Sequence, residues 1–151
     1  MSQSLAKIYL HVVFSTKERR PFLHDRDLRE DMFAYLAGAF NGLDSPAILV
    51  GGTEDHIHAL CRLSKNIAPK DLIAEVKRES SKWVKLQQGG PKDFYWQNGY
   101  GVFSLSPSHV DPTRNYIATQ EEHHRQTSFK DEFRRLCRKY DVEIDERYVW
   151  D

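Results

Sequence analysis

Two histidines stand two residues apart in Glu54-Asp55-His56-Ile57-His58-Ala59-Leu60-Cys61, inside an alternating apolar run. On a β-strand such residues point to one face, so His56 and His58 would present their imidazoles side by side. That is half of a metal site, and a strand with two partly exposed histidines is the plainer alternative. A second pair lies far along the chain, where Tyr116 and Gln120 are four apart in a helical stretch and therefore share a helix face. His123 or His124 falls about one turn further. A helical tyrosine taken alone is most often a packing residue.

The chain of 151 residues, 40 % hydrophobic and 12 % aromatic, suits a single domain over residues 1–151 with a real core, which excludes a disordered protein. No apolar run approaches the roughly 18 residues of a membrane span and no apolar signal core opens the chain, so a cytoplasmic location is expected. Cys61 and Cys137 fall in a strand pattern and a helix pattern, which predicts reduced, buried thiols and no structural zinc finger. The formal charge is zero, with 22 basic and 22 acidic residues, and lacks the overall excess that often marks a nucleic-acid binder. Two segments depart from this balance. Arg62 to Lys85 holds seven basic residues against three acidic ones, and Arg125 to Lys139 six against two, each a net +4. Such patches suit a phosphate-rich ligand held at defined places, and either alone also suits a solvated helix face.

The elements that must position these residues follow from periodicity. Ile8 to Thr16 reads as a strand with Leu10, Val12 and Phe14 buried and Tyr9, His11, Val13 and Ser15 opposite. Asp25 caps a helix that stops at Asn41-Gly42, Ala47 to Val50 is a short strand, and Gly51-Gly52 marks a turn into the histidine strand. A second helix spans about Lys70 to Gln88, and Val102 to Ser106 supplies a fourth strand. The order βαββαβ is that of the ferredoxin-like α+β fold, with both helices on one face of an antiparallel sheet and the other face open. An RNA-recognition motif shares the topology, but only Tyr9 is placed for base stacking. Asp111 as cap and Pro112 in the first turn open a helix carrying Tyr116 to His124. Ser128 with Asp131 opens a last helix with Phe133, Leu136, Cys137 and Tyr140 inside, and the tail from Val142 packs down as an extended segment or short strand.

His56-Ile57-His58 on a central strand, followed by Tyr116-x-x-x-Gln120 on a late helix, resembles the single-tyrosine HUH transposases. These are the TnpA-type enzymes of small insertion sequences that move as single-stranded DNA, with the related REP-associated tyrosine transposases. The likeness takes in Leu10-His11-Val12-Val13-Phe14-Ser15-Thr16-Lys17, the stretch from Trp96 to Ser104, and Glu122-His123-His124-Arg125. Glu54-Asp55 stands where family members often carry Pro-Asp.

The resemblance implies that His56, His58 and Gln120 bind a divalent ion, Mg²⁺ or Mn²⁺, and that Tyr116 is the nucleophile. It also implies a 5′-phosphotyrosine intermediate, a free 3′-hydroxyl, recognition of DNA hairpins, and a homodimer in which the tyrosine helix of one subunit completes the site of the other. Two imidazoles and an amide oxygen leave coordination positions for phosphate oxygens, as a Lewis acid requires. Arg62 and the outer side of the second helix, with Lys77, Arg78, Lys82 and Lys85, are the expected DNA contacts. Two other readings compete: a non-catalytic module that binds DNA hairpins or repeats, and a small His-metal phosphodiesterase that activates water. His11 reads as a satisfied strand histidine, Asp55 as an orienting carboxylate or a solvated turn residue, and His123 and His124 as DNA contacts or members of a polar helix face.

Overall fold

The computed structural model describes residues 2–151. Strands β1 (Tyr9–Ser15), β2 (Ala47–Gly52), β3 (His56–Arg62) and β4 (Gly101–Leu105) form one antiparallel sheet in the order β2-β3-β1-β4. Helices α1 (Arg26–Gly42) and α2 (Pro69–Leu86) connect them in the expected ferredoxin-like manner. Alternation sends Leu10, Val12 and Phe14 of β1 and Ile57, Ala59 and Cys61 of β3 to one face, where α1 contributes Met32, Leu36 and Phe40 and α2 Leu72, Ile73, Val76 and Val84. Asp25 caps α1, its carboxylate accepting from Leu28 N at 3.0 Å. Gln87 is already extended at φ −76° and ψ 151°, so α2 ends short of Gln88.

Gly51 and Gly52 are not the turn. They lie in β2, paired with His58 and Ile57, and the chain reverses through Thr53 to Asp55. Gly51 is needed for close approach of the helix beyond: a Cβ there would meet the Cγ2 and carbonyl oxygen of Ile117 at 3.0 Å.

The second face of the sheet is covered rather than open. Helices α3 (Val110–Ala118), α4 (Gln120–His123) and α5 (Phe129–Lys139) pack over it. Phe129, Phe133, Leu136 and Cys137 make an apolar stripe along α5, and Val13 and Phe103 on the sheet bury it in a second core. Ser128 caps α5 by accepting from Asp131 N at 3.2 Å. The tail forms no strand. It turns, with Tyr148 N and Val149 N both donating to Asp145 O, and lays Val149 and Trp150 on the second core.

The tyrosine segment departs from expectation twice. Asp111 lies inside the first turn of α3, where its charge favours the helix N-terminus, while His109 holds the cap position. The helix is not continuous to His124. It breaks at Thr119 (φ −108°, ψ 22°), whose hydroxyl donates to the carbonyls of Asn115 and Tyr116. Among the described residues no helix is long and apolar enough to cross a membrane.

Candidate active site

β3 delivers His56 and His58, both fully buried, to the face covered by α3, α4 and α5. Each imidazole is held from behind. The Nδ1 of His56 donates to Asp55 Oδ1 at 2.7 Å, and Thr53 Oγ1 donates to the same carboxylate at 3.0 Å. The Nδ1 of His58 meets His11 Nε2 at 2.7 Å, so His11 fixes the ring from the neighbouring strand. Burial, with His58 beside it, holds the His11 pKa well below its ordinary value, and burial also lowers that of His58 against the pull of Glu132.

With its Nδ1 bonded to Asp55, His56 turns Nε2 toward the interior. Gln120 Oε1 lies 2.9 Å from that nitrogen and Glu132 Oε1 3.5 Å from it. The Gln120 amide is oriented by its other end, which donates to Glu132 Oε2 at 2.8 Å. Glu132 Oε1 is also 3.0 Å from His58 Nε2. Ligand atoms of His56, His58 and Glu132 all fall within 4.8 Å of one another. Three acceptors therefore converge on one point, and a buried point of that kind calls for a positive charge. Two imidazoles, a carboxylate and an amide oxygen fit a divalent cation with positions left over for phosphate oxygens.

Glu132 of α5 is the hub of the site. Its Oε2 accepts from the Tyr116 phenol as well as from Gln120, and its Oε1 faces both His58 and His124, the latter at 3.0 Å. Burial alone would raise its pKa, but the bonds and charge of His124 and His58 outweigh it and hold the carboxyl far below the usual range. His124 responds in the opposite sense: burial lowers it, and Glu132 and Asp55 raise it above the ordinary histidine value. Tyr116 stacks on His123 with ring centroids 4.7 Å apart and lies 5.8 Å from the His58 ring. Burial, and then the Glu132 charge and bond, push its pKa up, with Gln120 and Arg135 pulling the other way.

The structure thus brings His56, His58, Tyr116 and Gln120 together, and it does so within one chain. The link from β4 to α3 is only Ser106 and a short turn through His109, so α3 folds back onto its own sheet. Sequence reasoning missed Glu132. Its signal was a charged residue in the buried stripe of α5, three after Phe129 and four before Leu136.

The expected DNA contacts do not join this cluster. α2 packs on the opposite face of the sheet from the histidines. Lys82 and Arg62 are exposed, Arg78 pairs with Glu75 and Glu79, and Lys85 lies 5.2 Å from the Tyr95 ring. Lys77 is a correction. Its ammonium donates to the carbonyls of Gln97 at 2.8 Å and Gly99 at 2.7 Å and lies 5.0 Å from the Phe14 ring. Burial lowers its pKa to about 8, so this lysine pins a loop and is not free for phosphate. Lys77→Met is expected to cost about 1–3 kcal/mol of stability by leaving those carbonyls unpaired, without reducing the salt dependence of DNA binding. Urea titration beside binding at two salt concentrations checks both parts.

The fold and the site define a ferredoxin-like protein with a cation-seeking histidine and carboxylate cluster beside a tyrosine hydroxyl. Residues 4–120 match the family described as "Transposase IS200 like". The chain belongs to this family of transposases, which cleave DNA. The match ends at Gln120, twelve residues before Glu132. No curated protein matches the chain. Solved structures that share its fold include two transposases. One is a candidate transposase from Deinococcus radiodurans R1, with 19 % identity and a TM-score of 0.60 over 80 % of this chain and 98 % of that one. The other is a REP-associated tyrosine transposase bound to a REP hairpin, with 14 % identity and a TM-score of 0.56 over 82 % of this chain and 74 % of that one.

Proposed function

We propose that this transposase cuts and rejoins single-stranded DNA beside hairpins, with Tyr116 as the nucleophile and a divalent ion held by His56, His58, Glu132 and Gln120. The observation that carries this reading is the convergence of acceptors beside the Tyr116 hydroxyl. A bound Mg²⁺ or Mn²⁺ would polarise the scissile phosphate and stabilise the departing oxygen. Tyr116 Oη forms a bond to phosphorus as its proton is lost to solvent, the bond from phosphorus to the 3′-oxygen breaks, and that oxygen takes up a proton from solvent to become the free 3′-hydroxyl. Glu132 Oε2 accepts a hydrogen bond from the phenol and so aims Oη at the scissile phosphate. The 5′-phosphotyrosine keeps the phosphodiester energy for attack by another 3′-hydroxyl, so no nucleotide cofactor is called for. His11 and Asp55 act by orienting His58 and His56.

The hairpin of the REP-associated relative suggests a hairpin here too, with its stem gripped by Arg62, Arg78, Lys82 and Lys85, away from the cut. A homodimer with sites completed in trans would have to exchange α3 between copies, because Tyr116 lies against its own chain's histidines here. The test uses hairpin oligonucleotides labelled at either end, Mn²⁺, and denaturing gels. The label on the 3′ side of the nick is expected to stay with the protein, and a chelator to abolish the adduct. Cleavage that leaves no label on the protein would overturn the reading, as would an adduct that survives the chelator.

A further inference from the structure

Arg135 and Lys139 follow Glu132 on α5 at three and seven residues and so share its side of the helix. That side opens on a cleft of about 290 Å³ lined by His11, His109, Tyr116, Arg135, Lys139 and Tyr140. Tyr116 and Glu132 belong both to this cleft and to the acceptor cluster, so the cleft adjoins the nucleophile directly. α5 treats its basic residues in two ways. Arg134 is neutralised, bonded to Glu146 at 2.6 Å and Asp131 at 2.9 Å. Among the described residues, Arg135 and Lys139 make no ion pair, and both are exposed at the cleft. Unpaired cations facing a cleft beside a nucleophile are what a phosphodiester needs and what a merely solvated face does not require.

The aromatic wall points the same way. Tyr140 is stacked on Phe103, ring centroids 4.7 Å apart at 18°, which holds its ring in place, and Pro112 and Leu136 complete an apolar side. A base can stack on such a surface while its phosphate meets the cations. The volume is near the lower end for small-molecule pockets, which fits one nucleotide and not a duplex stem.

We propose that this cleft holds the single nucleotide flanking the scissile phosphate, with Arg135 and Lys139 gripping its phosphate and Tyr140 supporting its base. The proposal rests on the reading of Tyr116 as the nucleophile and adds residues beyond the segment that matches the family.

The test compares wild type, Arg135→Ala/Lys139→Ala and Arg135→Lys in the presence of Mn²⁺. The probes are hairpin oligonucleotides with randomised single-stranded extensions, and the same hairpins without extensions. The double variant is expected to need at least about tenfold more extended DNA for half-maximal adduct formation, with a salt slope reduced by about one or more. Arg135→Lys should recover part of the loss, since charge returns without the planar fork. Binding of the extension-free hairpin and the thermal midpoint should not move. Wild-type half-saturation in the double variant would overturn the proposal. If wild type forms no adduct, the reading of Tyr116 fails and the cleft is judged by binding alone. Tighter wild-type binding of extended over extension-free hairpins, lost in the double variant, supports the cleft, and equal binding of the two probes sinks it.

Discussion

Tyr116→Phe is expected to lower formation of the covalent protein–DNA adduct by at least about 10³-fold, because the substitution removes the attacking atom and nothing else from the ring. The phenyl group keeps its stacking on His123 and its place beside His58 and His11. Glu132 loses one donor but keeps Gln120, His58 and His124, so the fold and the cation cluster should persist. Loss of the hydrogen bond should cost about 1–3 kcal/mol of stability, measurable in urea. The measurement is the labelled-oligonucleotide gel run beside wild type. Hydrolytic cleavage at the wild-type rate in the variant would mean that water, activated at the histidines, is the nucleophile, and the phosphodiesterase reading would replace the one proposed. A protein that never cleaves but retains a hairpin equally with Tyr or Phe at this position would be a binding module.

Glu132→Gln is expected to weaken Mn²⁺ binding by at least about 100-fold, since it removes the only carboxylate among the converging donors and leaves the shape of the site. Titration calorimetry with Mn²⁺ reads this without reference to activity. Unchanged affinity would show that Glu132 serves only to position Tyr116, with His56, His58 and Gln120 as the ligand set. The same variant changes stability in acid. The folded carboxyl is held far below the ordinary glutamate value of 4.5. Its contribution is therefore fully present above about pH 4.5 and is lost as the pH falls toward the folded value. Glu132→Gln should flatten the urea stability curve below about pH 4.5. His124, whose raised pKa depends on the same carboxylate, should titrate lower in the variant, which NMR of the imidazole can follow.

The second of these predictions turns on Glu132, which sequence reasoning missed. The alternation of β1 and β3, the cap at Asp25, the apolar stripe of α5 and the shared face of His56 and His58 are set by neighbours two to four residues away. The chain alone determines them, and the ferredoxin-like order follows. Spacing placed His56 beside His58 and Tyr116 beside Gln120, and only the resemblance to a known family gave these four residues a role. Three things were not legible in the chain. Glu132 reads as one more charge on a basic helix until α5 docks on β1 and β4, because its hydrogen-bond partners are up to 74 residues away and only the packing of Phe129 and Phe133 turns it inward. Lys77 has the composition of a DNA contact, yet the loop at Gln97 to Gly99 returns over it and takes its donors. The open face closed because the apolar stripe of α5 buries itself against Val13 and Phe103 on it. Spacing determines which side chains share a face of one element; which faces meet depends on long-range burial, and that was decided only in the tertiary structure.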